Sequence, residues 1–138
     1  YEINLDNYSK VINIEGLTML EMVRRDIIPA VTEYIKKLSE ETAAKSSVCP
    51  LAVNDMELTL IAKLSEFNSE LFAHAEQLEI NLTETRNEAD KQKQAELCCD
   101  MVLPKMDEVR AAADTLEKYM PKDMWPMPTY GDLLFSIG

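Results

Sequence analysis

The sequence predicts an all-α fold: an up-down-up bundle of three long helices, followed by a non-helical tail rich in proline and aromatic residues. Apolar residues recur at steps of three and four along most of the chain, which is the spacing of one helix face. Glycine, which commonly ends helices, is absent between Leu17 and Tyr130. Three of the six prolines and the only tryptophan lie within residues 121–138, so this end of the chain is predicted to differ from the rest.

The first helix is predicted over about residues 15–45. Gly16 lowers helix propensity by about 1 kcal/mol and indicates that the helix starts after it. Pro50 prevents its continuation. The apolar positions are Leu17, Leu20, Val23, Ile27, Ile28, Val31, Tyr34, Ile35 and Leu38.

The second helix is predicted to begin at Asn54 or Asp55, either of which could cap it. We place its end at about 80–85, because the runs 81–84 and 85–88 resemble capping boxes. A helix that continues through this stretch is the alternative. The apolar positions are Leu58, Ile61, Leu64, Leu71, Phe72, Ala75 and Leu78.

The third helix is predicted to end before Pro121. Pro29 and Pro104 fall inside the first and third helices, where each leaves the carbonyl group four residues earlier without its N–H partner. We therefore expect both helices to bend at these prolines. The apolar positions of the third helix are Ala95, Cys98, Val102, Met106, Val109, Ala113, Leu116 and Tyr119.

The two ends of the chain are predicted to lie outside the bundle, which takes residues 15–120. Residues 1–14 are interpreted as an extended segment that follows an upstream domain, since the chain does not begin with Met. A processed or tagged start is the alternative. The tail, residues 121–138, cannot be helical, so its apolar side chains need another surface to bury against. The docking candidates are Trp125, Tyr130, Leu133, Leu134 and Phe135.

Charge and cysteine content exclude several classes of protein. The formal net charge of −11 argues against binding of nucleic acid or of an anionic membrane, because both need basic patches. No run of 18 apolar residues is present, so no transmembrane span is expected. Cys49, Cys98 and Cys99 do not form a disulfide pattern, which favours a reduced, cytoplasmic setting.

The residues show no catalytic, cofactor-binding or metal-binding constellation. His74 is the only histidine and is expected at the surface or at the boundary of the core. Cys98 and Cys99 are adjacent and would point about 100° apart on a helix, so they are poorly placed to share a metal ion with His74. Cys98 falls on the apolar face and is interpreted as a small core residue.

Three parts of the chain together resemble one family: residues 8–19, the related runs at Pro29 and Pro104, and residues 125–135. They resemble the C-terminal region of type III glutamine synthetase, the large bacterial form, although Gly16 stands where we expect Ala. The resemblance implies a parent enzyme that joins ammonia to glutamate with ATP and Mg in a ring-stacked oligomer. It also implies that the catalytic strands, metal ligands and nucleotide contacts lie upstream of this chain.

On this resemblance, the chain is expected to be a non-catalytic helical domain that acts in packing, subunit assembly or stability. It would pack on its own catalytic domain or on a neighbouring subunit of a homo-oligomer, with the tail as a clasp. One alternative is a regulatory or partner-binding module that uses Met19, Met22 and Met127. A free-standing adaptor-like bundle is the other alternative.

Overall fold

The computed structural model describes residues 4–127, which form three long helices and no strand within that range. The all-α bundle prediction is confirmed. The first helix runs through Leu5–Met22, the π-helical segment Val23–Ile27 and Ile28–Val48. The second helix is Asp55–Asn87. The third helix runs through Lys91–Leu97, the π-helical segment Cys98–Val102 and Leu103–Glu117, and the 3₁₀ turn Lys122–Met124 follows it.

The start of the first helix corrects the sequence prediction. Asn4 caps the helix, because its side chain accepts a hydrogen bond of 3.1 Å from the backbone N–H of Asn7. The extended segment predicted for residues 1–14 is therefore wrong over residues 5–14, which are helical. The expectation that the helix starts after Gly16 was wrong, because the residue lies buried within the helix.

Gly16 marks a close approach of the first and second helices. A Cβ atom built on it would lie 2.8 Å from a δ carbon of Leu82. The absence of a side chain at this position therefore lets Leu82 pack directly against the first helix. The cost in helix propensity is offset by this contact between helices.

The boundary between the second and third helices lies a few residues later than predicted. Asn81 and Thr85 do not cap a new helix but are buried inside the second one, where Thr85 Oγ1 donates to the carbonyl of Asn81 at 2.8 Å. Asp90 caps the third helix instead, accepting from the backbone N–H groups of Gln92 and Lys93. Asn54 stands at the start of the second helix as predicted, although its side chain donates to Ser46 rather than capping the helix.

Each internal proline lies two residues after the end of a π-helical segment. Before Pro29, the N–H of Ile28 bonds to the carbonyl of Val23, five residues earlier. Before Pro104, the N–H of Leu103 bonds to the carbonyl of Cys98 in the same way. The wider π turn accommodates a residue that has no N–H, so both helices continue through their prolines. The bend expected at these sites stays a prediction.

The core follows a seven-residue repeat. On the second helix, Leu64, Leu71 and Leu78 have no solvent exposure. Val102 and Leu116 of the third helix are equally buried, as is Val31 of the first. A repeat of seven keeps one stripe of each helix directed at its neighbours, as in a coiled coil. Cys98 lies in this core as predicted.

Four ion pairs of arginine or lysine between helices fix how the helices are aligned. Arg24 of the first helix binds two carboxylates of the second, Glu76 at 2.8 Å and Glu79 at 2.5 Å. Near the opposite end of the first helix, Lys45 pairs with Glu57 of the second. Lys91 of the third helix pairs with Asp6 of the first at 2.9 Å.

The hydrogen bond from Arg24 lowers the pKa of Glu79. The pKa of Glu57 is lowered by its bond to Lys45, and that of Asp6 by Lys91 and then Lys10. A carboxyl group whose pKa is lowered by folding stabilises the protein above its unfolded pKa, and this contribution disappears as the pH falls through the folded value.

We predict that the effect of Gly16→Ala depends on the residue at position 82. When Leu82 is replaced by Ala, the new methyl group at position 16 has room, and the gain in helix propensity of about 1 kcal/mol appears as added stability. With Leu82 present, the methyl group contacts its δ carbons and the gain is smaller or reversed. Urea unfolding of the four chains measures this coupling. An equal effect of Gly16→Ala in both backgrounds would contradict the close approach.

We also predict that Arg24→Gln weakens the acid dependence of stability. In the unsubstituted 138-residue chain, the Arg24–Glu79 pair contributes to the free energy of unfolding at neutral pH. This contribution is lost as the pH falls below the ordinary carboxyl pKa of 4.5. The two chains should therefore differ most in melting temperature near neutral pH and least in acid. Arg25→Gln is the matched control, since Arg25 pairs only with Glu21 of its own helix among the ion pairs of residues 4–127. A difference in melting temperature between Arg24→Gln and the unsubstituted chain that stays constant with pH would refute the role of the Arg24–Glu79 pair.

Candidate docking surfaces

The chain turns back on the bundle after the third helix. The 3₁₀ turn Lys122–Met124 closes with a hydrogen bond of 3.1 Å from the N–H of Met124 to the carbonyl of Pro121. The N–H of Trp125 then bonds to the carbonyl of Lys122 at 3.3 Å. This reversal places the Trp125 side chain in the core, with only 8% of its surface exposed. Trp125 is therefore buried on the chain's own bundle, and its predicted role in docking stays a prediction.

Trp125 lies in an apolar groove of about 200 Å³ between the first and third helices. We call it the methionine groove, because three methionines line it. Met19 and Met22 come from the first helix, and Met127 comes from the segment that carries Trp125. The remaining apolar lining is Val23, Ile27, Val109 and Ala113, and charged groups of Arg110, Asp114 and Glu117 complete it.

The indole N–H of Trp125 has no hydrogen-bond acceptor among residues 4–127, although the nitrogen is buried from solvent. Most buried polar groups in proteins are paired, so this unpaired donor is an exception. The other four docking candidates, Tyr130, Leu133, Leu134 and Phe135, lie outside the described residues. Their predicted role stays a prediction.

A second apolar surface lies at the connection between the first and second helices. Val48, Leu51, Val53 and Met56 are each 67–92% exposed there. We call this group the apolar tip. The sequence analysis did not single it out, although the signal was present: the connection and the helix ends beside it carry four large apolar residues within nine positions.

The backbone of the apolar tip is held in place by polar contacts. The ammonium group of Lys45 donates to the carbonyl of Val53 at 3.0 Å and also pairs with Glu57. Asn54 donates to Ser46 at 2.7 Å, and the N–H of Ala52 bonds to the carbonyl of Cys49. The tip is therefore a preorganised apolar surface, which reduces the entropy cost of binding a partner.

His74 lies at the boundary of the core, as predicted, with Nδ1 at 3.2 Å from Glu108 Oε2. Lys105 binds the same carboxylate oxygen at 2.9 Å and lowers the pKa of Glu108. This cluster is a half-exposed surface network. Residues 4–127 contain no group of three or more His, Cys, Asp or Glu that could hold a metal ion.

Among the three cysteines, Cys98 is buried, and burial raises the pKa of its thiol. Cys49 and Cys99 are exposed. In the part of the chain that the structure describes, no helix is both long and apolar enough to cross a membrane.

Comparison with known proteins shows what the chain is similar to. Residues 1–46 match the model of the glutamine synthetase C-terminal domain. The chain is 35% identical over 137 residues to a glutamine synthetase from Butyrivibrio fibrisolvens, covering 99% of this chain and 20% of that protein. The chain is therefore similar to the C-terminal domain of glutamine synthetases. The resemblance stated from the sequence is confirmed.

Two further relatives of this glutamine synthetase domain extend the comparison. A type-3 glutamine synthetase from Dictyostelium discoideum is 24% identical over 141 residues, covering 97% of this chain and 19% of that protein. A glutamine synthetase from Bacteroides fragilis (strain YCH46) is 22% identical over 142 residues, covering 98% and 19%. The chain thus spans about a fifth of the length of the curated relatives it matches. No solved structure matches the chain.

Proposed function

We propose that this chain is a non-catalytic helical domain of a type III glutamine synthetase. The parent enzyme would ligate ammonia to glutamate with ATP and Mg in the cytoplasm. The main support is that almost the whole chain aligns with only a fifth of each relative, so most of such an enzyme lies outside it. We assign no Mg or ATP contact to residues 4–127, which offer no metal-binding group.

We propose further that the domain serves assembly, and that the apolar tip is its docking surface within a homo-oligomer. The observation that carries this proposal is the exposure of Val48, Leu51, Val53 and Met56 on an ordered backbone. Burying one such side chain is worth roughly 1.5–3 kcal/mol, so four together are enough to stabilise a contact between proteins. Contiguous exposed apolar groups of this kind typically mark interaction sites.

The position of the apolar tip favours a neighbouring subunit as its binding partner. The part of the same subunit that precedes this chain is less favoured. The first helix runs without interruption from Leu5 to Val48. At 1.5 Å per residue this is a path of roughly 60–65 Å. In a parent enzyme whose catalytic part precedes this chain, the tip would therefore lie far from the junction. A contact with the catalytic domain of the same subunit at that distance would require that domain to extend along the bundle.

The regulatory alternative would use the methionine groove. Met19, Met22 and Met127 do line one surface, as that alternative requires. However, Trp125 already fills part of this groove, so packing explains the same residues. The adaptor alternative is disfavoured, because the relatives that match almost the whole chain are glutamine synthetases.

The test is the double substitution Leu51→Asp with Val53→Asp in the full-length parent enzyme. Both side chains are exposed in the isolated domain, so the substitutions should leave the melting temperature of the 138-residue chain nearly unchanged. In the parent enzyme, they bury charge at a subunit contact and should shift native mass spectra towards smaller assemblies.

Ile14→Asp is the matched control, because Ile14 is similarly exposed but lies on the first helix far from the tip. The control should leave the assembly intact. An enzyme whose assembly is unaffected by the tip substitutions, or affected equally by Ile14→Asp, would rule out the tip as the docking surface.

A further inference from the structure

We propose that a polar pocket of about 140 Å³, at the end of the bundle where the first helix begins, binds a small oxyanion, inorganic phosphate. All three helices contribute to the pocket, so a bound anion would connect them. The proposal concerns the 138-residue chain itself and does not depend on the parent enzyme's activity or on the apolar tip. The lining side chains that carry the argument are Asp6, Ser9, Lys10, Asn13, Arg86 and Lys91.

The charge of the pocket is the first argument. Three cationic side chains and one anionic side chain line it, which gives a formal charge of three minus one, or +2. The whole chain carries a formal net charge of −11. The pocket is therefore a local exception in an acidic protein, and such a concentration of one sign of charge attracts small ions of the opposite sign.

The second argument is that Asp6 holds two ammonium groups beside the pocket. Lys10 binds one of its carboxylate oxygens and Lys91 binds the other, each at 2.9 Å. Hydrogen bonds from Lys91 and then Lys10 lower the pKa of Asp6, so the carboxylate is ionised at neutral pH. Each ammonium group has three N–H donors and uses one of them here. The remaining donors are available to an anion.

Arg86 supplies the third cation and is the one least engaged with the protein. It lowers the pKa of Glu79 only as a minor contributor, behind the hydrogen bond from Arg24, and it takes part in none of the ion pairs found within residues 4–127. A guanidinium group presents its N–H donors in a planar fork that matches two oxygens of a phosphate group. Arg86 is therefore the side chain best suited to select an oxyanion.

Unpaired polar atoms at the inner side of the pocket are the evidence that points to a ligand. The Ser9 side chain is buried, with 4% exposure, and its hydroxyl group has no hydrogen-bond partner among residues 4–127. Asn13 Oδ1 is also buried and unpaired. A half-turn of the amide group would present its N–H donors at the same place. Buried polar groups are normally paired, so these two side chains fit a site that holds a polar ligand.

The neighbouring thiol of Cys98 does not satisfy Ser9. Burial raises the pKa of this thiol, and a contact with the Ser9 hydroxyl opposes the effect only in part. The thiol is therefore neutral at neutral pH, when its sulfur is a weak acceptor. The hydroxyl of Ser9 stays available to donate to a stronger acceptor such as a phosphate oxygen.

The size of the pocket decides between a free anion and a larger molecule that carries a phosphate group. Pockets that enclose drug-sized ligands have volumes of roughly 300–1,000 Å³, well above the 140 Å³ here. A nucleotide would leave its base and ribose outside the pocket. The free phosphate ion is therefore the better match.

Thermal unfolding of the 138-residue chain in phosphate tests the proposal. At constant pH and ionic strength, replacing chloride by phosphate should raise the melting temperature in a saturable manner. The expected rise is roughly 5 °C at ten times the dissociation constant. A rise that does not saturate, or no rise at all, would overturn the proposal.

Two substitutions assign the binding to the pocket by isothermal titration calorimetry with phosphate. Arg86→Gln and Ser9→Ala should each weaken binding about tenfold. In chloride, Ser9→Ala should leave the melting temperature nearly unchanged, because the hydroxyl that it removes has no partner within the described residues. Arg25→Gln is the matched control, since Arg25 does not line this pocket, and it should bind phosphate as the unsubstituted chain does. Equal affinity in all four chains would overturn the proposal.

Nuclear magnetic resonance provides a measurement that needs no variant. Phosphate should shift the backbone amide signals of Ser9, Arg86 and Lys91 and leave that of Val53, at the apolar tip, unchanged. Shifts of similar size at all four positions would contradict a defined site. Titration with AMP separates the two sources of a phosphate group: it should bind more weakly than inorganic phosphate. Tighter binding of AMP would overturn the assignment of the free ion.

Discussion

The structure depends on one column of leucine side chains. Leu64, Leu71 and Leu78 lie seven residues apart on the second helix and are completely buried. The second helix packs against both other helices, and the column belongs to the core cluster to which all three helices contribute. Hydrophobic burial of the whole core, with this column on the second helix, opposes the conformational entropy of ordering three long helices that have no strands or disulfides to support them within residues 4–127. The surfaces available for docking are the apolar residues of the bundle that lie outside this buried core.

Several residues that are unfavourable in an isolated helix allow the three helices to pack together. Gly16 weakens its own helix but lets Leu82 approach the first helix. Pro29 and Pro104 lack an N–H, and the π turns before them keep both helices continuous. The Arg24 pair with Glu76 and Glu79 adds polar alignment between two helices whose apolar faces alone allow sliding. In each case, packing between helices outweighs the intrinsic preference of a single residue.

The sequence was sufficient for the fold class but not for the boundaries. Periodic apolar positions predicted all three helices, because burial of one face is a property that spacing reveals directly. Gly16 was misread as the sign of a helix start, and Asn81 and Thr85 as signs of a helix boundary, since their roles depend on contacts that only the folded chain creates. The burial of Trp125 was predicted, while the surface that buries it required the structure. The apolar tip was visible in composition and was overlooked.

Replacing Leu71 by Ala in the 138-residue chain tests the central claim most directly, with thermal unfolding followed by helical circular dichroism. Leu71 has no exposure, so the substitution should lower the free energy of unfolding by about 2–5 kcal/mol and shift a single transition of the whole helical signal. Phe72→Ala, at the adjacent and half-exposed position, should have a much smaller effect. Equal losses at positions 71 and 72, or separate unfolding of one helix, would contradict a bundle held together by the buried leucine column.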